Sequence, residues 1–359
     1  MSDAAKIELI TQAQSLPPTL RESLSPAELA FIAGLETCGL LPFAVTPFYA
    51  ALAGSGADDP IRRQCIPDPR EAELKYYELD DPLGGALFGV GPRLVHQYRD
   101  RALLLSNGAC AGYCRHCFRR SWTGSVPGFI GDAELDSACA YLVAHPELQE
   151  ILVSGGDPLV ATNGRLETLL ARLRSSRPDI LLRVCTRLPV VHPARIDAVL
   201  VALLRRFRPL RMIVHINHPR ELPPETCSAI SSCVDAGIPV HTQTVLLKGI
   251  NDDEQVLAVL FRKIVTLGAS PYYLFQGDLA QGTSHLRVNL ETALSLYARL
   301  KHLVSGLCLP RFAVDLPGGG GKLALHPGCI AGKSTYGDGS PAYLLRDTDG
   351  KLWKYPIEP

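Results

Sequence analysis

From about residue 100 onward, short apolar runs alternate with longer amphipathic segments. The apolar runs predict strands at 102–105, 151–154, 181–185, 212–216, 240–246 and 272–275. The segments between them predict helices at 132–144, 166–175, 193–206, 224–236, 253–267 and 290–304. Six strand–helix units in succession favour a parallel sheet that curves into a barrel or part of one. A seventh apolar run, at 312–314, follows the last helix. We therefore predict an α/β fold built on a partial parallel (β/α)6 barrel.

The two ends of the chain differ from this repeating region. Helical patterns at 4–14 and 26–39 precede a Pro- and Gly-rich stretch, so residues 1–95 are predicted to form an N-terminal helical and irregular region. Residues 96–308 then form the barrel, and residues 309–359 form a short C-terminal extension. The tail from 335 is rich in Gly and Asp. It is either a strand packed on a neighbouring subunit or a loosely held extension.

Composition excludes several classes of function. The chain has 36 basic and 36 acidic residues, so it offers no electrostatic attraction to nucleic acid or to an anionic membrane. We find no signal peptide and no apolar run long enough to cross a bilayer. Eleven scattered cysteines suit a reducing compartment better than a disulfide framework. These features predict a cytoplasmic protein without a nucleic-acid or membrane partner.

Three cysteines follow the first predicted barrel strand with the spacing C-x3-C-x2-C. Cys110, Cys114 and Cys117 are one ligand short of a four-thiolate site, so a 4Fe-4S cluster held here leaves one iron open. A zinc knuckle is the alternative, although zinc prefers paired C-x2-C units or a Cys/His quartet. The triplet resembles that of the radical S-adenosylmethionine (SAM) superfamily, in which SAM occupies the open iron.

Other polar or glycine positions follow the later strands, at the end where barrel active sites lie. Ser154 to Pro158 reads Ser-Gly-Gly-Asp-Pro, which is either an ordinary turn or, by resemblance, a turn that binds the methionine part of SAM. The remaining positions in this set are Arg187, His215, Asn217, His218, Gln243, Lys248 and Asp278.

Four glycines precede Lys322 in the segment from Asp315. The segment fails the phosphate-loop pattern, because Leu316 and Leu323 stand where Gly and Ser or Thr are required. Two interpretations remain open. The segment is a flexible turn, or it delivers a lysine into a crowded cavity where the amine forms an imine with pyridoxal phosphate (PLP).

Together these motifs resemble the lysine 2,3-aminomutase family from about Asp59 to Gly332. The resemblance implies that a SAM-derived radical abstracts a hydrogen from a PLP-bound amino acid, whose amino group then migrates from Cα to Cβ. It implies that the three cysteines hold the cluster and that Lys322 binds PLP. Tyr98 and Arg101 match positions near the PLP phosphate, although an arginine common in the family is Gln97 here. It further assigns a SAM site to Gly155, Gly156, Asp157, His215 and Gln243.

The same resemblance suggests how substrate is chosen. Arg119 matches a clamp for the substrate carboxylate, and a guanidinium fork suits that task. Asp278 and Asp315 match an acidic pair that receives a distal ammonium. Two carboxylates in one pocket raise each other's pKa unless a cation lies between them, and a lysine side chain supplies one. Alternatively, either aspartate simply caps a helix or turn.

The chain departs from longer family members at their structural zinc site. Asp253 stands where those proteins have a cysteine, and no cysteine follows Gly332, so we predict no zinc. We also expect a flavodoxin- or ferredoxin-like reductant and a homo-oligomer. The product is β-lysine for metabolism or, alternatively, β-lysine for modification of elongation factor P. A non-catalytic iron–sulfur protein is the remaining alternative.

Overall fold

The computed structural model describes residues 7–124 and 128–357. Within these ranges nine strands form one sheet in chain order and three more form a second sheet. The strands are β1 (Leu94–Tyr98), β2 (Arg101–Asn107), β3 (Glu150–Gly155), β4 (Leu181–Thr186), β5 (Leu210–His215), β6 (Val240–Leu246), β7 (Ser270–Gln276), β8 (Arg311–Leu316), β9 (Gly321–Ala324), β10 (Ile330–Thr335), β11 (Pro341–Arg346) and β12 (Leu352–Pro356). The α-helices are α1 (Pro18–Glu22), α2 (Pro26–Cys38), α3 (Pro47–Leu52), α4 (Arg62–Cys65), α5 (Asp132–Ala144), α6 (Asn163–Ser176), α7 (Leu188–Val191), α8 (Ala198–Arg206), α9 (Pro224–Asp235), α10 (Glu254–Thr266) and α11 (Leu290–Leu303).

Strands β2 to β8 are parallel, and each pairs with the next along the chain. The helices α5, α6, α8, α9, α10 and α11 connect them, so the predicted α/β barrel is confirmed. Antiparallel strands lie at both edges, with β1 on β2 and β9 on β8. The edges approach each other, because Gln97 Nε2 donates to the Gly319 carbonyl at 3.1 Å. The sheet therefore nearly closes.

The core lies inside the sheet and between the sheet and its helices. Parallel strands covered on both faces require nearly continuous apolar residues. Ile151 and Val153 of β3 and Val184 of β4 are fully buried. Helix α6 packs on the sheet with an apolar stripe at helical spacing, formed by Leu166, Leu169, Leu170 and Leu173. This packing fixes the strand ends that carry the candidate site residues.

The N-terminal region packs on the barrel through both helices and extended segments. The predicted helix at 26–39 is confirmed as α2, whose first turn is closed by a capping box between Ser25 and Glu28. The predicted helix at 4–14 is wrong for residues 7–12, and residues 4–6 lie outside the described residues. There Ile10 pairs with Val45 through two backbone hydrogen bonds of 2.8 and 3.0 Å. This tertiary pairing outweighs the local helical pattern.

The C-terminal tail forms the small antiparallel sheet β10–β12 and packs on its own chain. Tyr355 Oη donates to the Gly277 carbonyl at 2.8 Å. The Trp353 ring covers Gly320 so closely that a Cβ on that glycine would lie 2.9 Å from ring atoms. The prediction of a loosely held extension is therefore wrong. Among the described residues, no helix is long and apolar enough to cross a membrane.

Candidate active site

The three cysteines lie in the loop between β2 and α5. The N-terminal region holds this loop through the backbone, since Tyr113 N donates to the Ala44 carbonyl at 2.9 Å. Within the described residues, no three His, Cys, Asp or Glu side chains are gathered around a single metal position. A 4Fe-4S cluster does not require that arrangement, because each thiolate binds a different iron. Cys110, Cys114 and Cys117 therefore have the donor chemistry and loop placement that such a cluster needs.

The cysteine loop is also held by a buried ion triad of Glu71, Arg115 and Arg120. Arg115, between the second and third cysteines, is fully buried and donates from Nε to Glu71 Oε1 at 2.8 Å. Arg120 Nη2 contacts the same carboxylate. Burial opposes ionisation of Glu71, but the two guanidiniums outweigh it and hold the pKa of that carboxyl below its ordinary value. The loop is thus fixed by paired charges contributed from two regions of the chain.

Two glycines let the turn after β3 contact the cysteine loop. Gly155 has a φ of 123°, and a Cβ there would lie 2.4 Å from the Asn107 carbonyl oxygen. A Cβ on Gly156 would lie 2.3 Å from the Ala109 carbonyl oxygen and 3.1 Å from Cys110 Sγ. Neither position can hold a side chain without moving the loop. Their predicted contact with SAM stays a prediction.

Asp157 fastens the end of β3 to the end of β4. Its carboxylate accepts hydrogen bonds from Thr186 Oγ1 and Arg187 N, both at 2.8 Å, and from Leu159 N at 3.0 Å. Burial nevertheless raises the pKa of Asp157 to about 6. The carboxylate is thus already engaged by the protein, and any part it takes in SAM binding stays a prediction.

His215 and Gln243 are neighbours across β5 and β6, where they are register partners. His215 Nε2 lies 3.0 Å from Asn217 Oδ1, and its ring meets the His116 ring edge to face at 5.2 Å between centroids. Burial, with the charge of Arg187, lowers the pKa of His215 to about 3. The imidazole is therefore neutral near pH 7 and can exchange hydrogen bonds without adding charge to the site.

Lys322 and Asp315 face each other across the hairpin β8–β9. Lys322 Nζ lies 2.8 Å from both carboxylate oxygens of Asp315, and both side chains are largely buried. The ammonium also lies over two aromatic rings of β7, 4.2 Å from the Phe275 centroid and 5.1 Å from that of Tyr273. Lys322, directly after the four glycines, therefore lies at the barrel mouth, the end of the sheet where the parallel strands terminate.

Asp278 follows β7 and lies near this ion pair. Its Oδ1 is buried and has no hydrogen-bond partner among the described residues. Burial first, and then the charge of Asp315, raise the pKa of Asp278 to about 8. The cation paired with Asp315 is thus the chain's own Lys322, and Asp278 keeps an unmatched acceptor.

Arg119 is the second residue after Cys117 and lies within electrostatic range of the acidic pair. Its Nη1 donates to Ser154 Oγ at 3.3 Å, and its guanidinium lies 4.6 Å from the Phe118 centroid. Burial lowers the pKa of Arg119, while the charges of Cys117, Asp278 and Asp315 oppose that shift. One guanidinium therefore interacts electrostatically with both halves of the site.

Tyr98 and Arg101 lie at the hairpin between β1 and β2, next to the glycine-rich segment. The Arg101 guanidinium lies 3.9 Å above the Tyr98 ring and donates to Asp100 Oδ1 at 2.8 Å. A Cβ on Gly321 would lie 3.5 Å from the Tyr98 hydroxyl oxygen. A guanidinium and a phenol next to the segment that carries Lys322 can donate hydrogen bonds to a phosphate group.

Sequence reasoning missed the aromatic wall of Tyr273 and Phe275. Their spacing of two residues on a predicted strand was the available signal, because it places both rings on one face. Sequence reasoning also gave no role to Arg187, which donates from Nη1 to Cys114 Sγ at 2.5 Å. Asp253, which stands at the position of a cysteine in the expected zinc site, caps α10 by accepting hydrogen bonds from Gln255 N and Val256 N at 2.7 and 3.1 Å.

Comparison with known proteins places the chain in a family. A family profile described as a 4Fe-4S single cluster domain matches residues 98–198. A protein of Treponema pallidum, provisionally named an L-lysine 2,3-aminomutase, is 41% identical over 93% of this chain and 93% of its own length. L-lysine 2,3-aminomutase of Clostridium subterminale is 36% identical over 88% of this chain and 75% of its own.

Glutamate 2,3-aminomutase of Clostridioides difficile is also similar, with 31% identity over 88% of this chain and 74% of its own. A radical SAM methyltransferase structure from Sphaerobacter thermophilus aligns with 62% of this chain and 68% of its own, at a TM-score of 0.43 and 17% identity. The identity to the aminomutases extends over most of the chain and includes the cluster domain. The chain therefore belongs to the lysine 2,3-aminomutase family and is an isomerase, and its residues 98–198 match a 4Fe-4S cluster domain.

Proposed function

We propose that the enzyme interconverts L-lysine and β-lysine with the help of PLP bound to Lys322. The observation that carries this proposal is the buried acidic pair of Asp278 and Asp315 at the mouth of the barrel. Asp278 Oδ1 has no hydrogen-bond partner among the described residues, and a buried acceptor without a donor is costly. The ε-ammonium of lysine would supply both a donor and the missing positive charge.

The other end of the substrate would meet Arg119. A planar guanidinium can hold an α-carboxylate through two parallel hydrogen bonds, which a lysine cannot do. The positive charge of Arg119 thus matches the α-carboxylate of lysine, and the acidic pair matches its ε-ammonium. A glutamate side chain would instead bring a third carboxylate to the acidic pair.

PLP, when bound, would supply a ring that delocalises the unpaired electron during amino migration. Tyr98 and Arg101 would hold its phosphate, and Lys322, whose Nζ lies 2.8 Å from Asp315 Oδ1, would bind its aldehyde. Cys110, Cys114 and Cys117 would hold the cluster, with Gly155, Gly156, Asp157, His215 and Gln243 around SAM. A flavodoxin- or ferredoxin-like protein would supply the electron, and we expect a homo-oligomer.

A glutamate aminomutase is the second candidate. The raised pKa of Asp278, about 8, favours a neutral carboxyl at pH 7, and a neutral carboxyl can donate to a substrate carboxylate. The negative charge of Asp315 is already offset by the ammonium of Lys322. The charge argument against glutamate therefore depends on the protonation state of one residue.

Anaerobic reconstitution with iron, sulfide, PLP, SAM and dithionite would test the proposal. Lysine, glutamate and arginine are supplied separately, and the products are separated by chiral chromatography. We expect β-lysine to be the main product. Efficient formation of β-glutamate without β-lysine would contradict the lysine assignment and leave the aminomutase chemistry standing.

A further inference from the structure

Arg187 directs one arm of its guanidinium at a cluster cysteine. The residue follows β4 at the barrel mouth, and it is 8% exposed. Its Nη1 donates to Cys114 Sγ at 2.5 Å, and its backbone N donates to Asp157 Oδ2 at 2.8 Å. Both the backbone and the side chain of Arg187 are therefore fixed next to the cysteine loop.

The other arm of the guanidinium is held by three buried oxygen atoms. Arg187 Nη2 donates to Glu221 Oε1 at 2.6 Å, to Gln64 Oε1 at 2.7 Å and to Tyr49 Oη at 3.0 Å. Glu221 is itself fully buried, and it accepts from Tyr49 Oη and Asn217 N, both at 2.5 Å. Because the second arm is anchored, the first arm cannot turn away from the sulfur.

A cation that donates to a thiolate favours the more negative state of the group that the thiolate binds. Hydrogen bonds to cluster sulfurs and the charge around them are among the main determinants of cluster reduction potential. In the barrel interior such a charge is weakly screened. Glu221, on the far side of the guanidinium from Cys114, would act in the opposite direction because it carries a negative charge.

We propose that Arg187 is a positioning residue that holds Cys114 and makes reduction of the cluster easier, with Glu221 as a counterweight that limits the effect. The proposal rests on the assignment of the cluster to Cys110, Cys114 and Cys117. It predicts effects of opposite sign from two substitutions in one hydrogen-bonded network. A purely structural role would disturb the cluster in the same direction in both variants.

The test is a redox titration of the reconstituted full-length protein, followed by electron paramagnetic resonance in the absence of SAM. Arg187→Gln should make cluster reduction about tenfold less favourable, which is 59 mV for a one-electron couple. Glu221→Gln should shift the potential upward. Arg183→Gln is the matched control, because Arg183 is a buried arginine of β4, the strand that Arg187 follows, and it pairs with Glu150 instead. It should leave the potential unchanged.

Two results would overturn the proposal. One is a shift of the same sign in Arg187→Gln and Glu221→Gln, and the other is a change of less than twofold in the reduction equilibrium of both. If Arg187→Gln fails to retain iron, Glu221→Gln decides alone, and an unchanged or lowered potential contradicts the proposal. Failure of the parent protein to assemble any 4Fe-4S cluster would instead contradict the cluster assignment itself.

Discussion

The two sides of the barrel mouth differ in how completely their buried charges are paired. On the side of the cysteine loop, buried carboxylates contact guanidiniums, as in Glu71 with Arg115 and Glu221 with Arg187. On the side formed by β7 and β8, Asp278 keeps a buried oxygen without a partner among the described residues. Paired charge indicates a site already organised before ligands arrive. An unmatched carboxyl indicates a site that a ligand completes.

This difference has a physical basis. Removing one member of a buried ion pair leaves an uncompensated charge, so the pairs behind the cysteine loop resist rearrangement. An unmatched acceptor costs free energy until a donor reaches it, so it favours binding of a ligand that carries one. Substitutions on the first side should therefore change the cluster. Those on the second should change affinity for the amino acid.

The largest expected effect is on the cluster side. Replacing Cys110, Cys114 or Cys117 singly with Ala should abolish the 4Fe-4S signal and reductive cleavage of SAM, because each change removes one thiolate ligand. Electron paramagnetic resonance and iron analysis measure this loss. Cys139→Ala and Cys233→Ala, at buried positions on helices α5 and α9, are the controls. A triplet variant with full activity would contradict the assignment.

Lys322→Ala should remove nearly all turnover while leaving the cluster signal intact. The lysine lies on β9 and the cysteines lie in the loop after β2, so the two cofactors would be held by separate segments. Borohydride reduction followed by peptide mapping locates the pyridoxyl group. Lys333→Ala, at an exposed position of β10, is the control and should retain turnover. Mapping of the pyridoxyl group to Lys248 or Lys333 would show that the motif argument is wrong.

Local sequence patterns predict much of the fold and of the candidate site. The seven parallel strands were visible as apolar runs, because burial on both faces leaves little room for polar residues. Asp278 could be placed at the mouth because it lies just beyond a predicted strand, whereas Asp315 was assigned to the acidic pair by family resemblance. Lys322 was found from its neighbouring glycines, but its strand β9 was missed. Strand β9 is only four residues long and begins at the last of the four glycines, so its local strand propensity is weak and pairing with β8 defines it.

Contacts between distant segments could not be predicted from one sequence. Glu71 and Arg115 are 44 positions apart, and Arg187 and Glu221 are 34 apart, so no local period links them. The sheet β10–β12 was missed for a similar reason. Its strands are short and contain exposed polar residues, and they are held by contacts such as Tyr355 with Gly277. Tertiary contacts therefore determine the structure of segments whose local secondary-structure propensity is weak.

A smaller effect is expected from the acidic pair. Asp278→Asn and Asp315→Asn each remove a charge-assisted contact to the substrate ammonium, a loss on the order of 2 to 4 kcal/mol. Apparent lysine affinity should fall by tens to hundreds of fold, as measured by lysine titration of the bound pyridoxal absorbance. Asp253→Asn, at the cap of α10, is the control and should titrate like the parent. If both acidic variants also do so, the carboxylates are structural.

The last and smallest effect is a pH dependence that separates lysine from glutamate as substrate. The pKa of Asp278 is raised to about 8, so below that pH its carboxyl holds a proton in the free site. An ammonium favours the ionised form, so lysine binding must release that proton. Lysine affinity should therefore rise about fivefold between pH 7 and pH 8 and flatten above pH 8.

Glutamate would show the opposite slope, since its carboxylate prefers the protonated form of Asp278. The measurement is a titration of each amino acid at pH 6.5 to 8.5 in the parent and in Asp278→Asn. Ionisation of the substrate α-amino group adds a slope common to both proteins, and the difference between them isolates Asp278. Identical pH profiles would mean that Asp278 does not titrate with binding. A slope that favours glutamate at low pH would reassign the acidic pair to a substrate with a side-chain carboxylate.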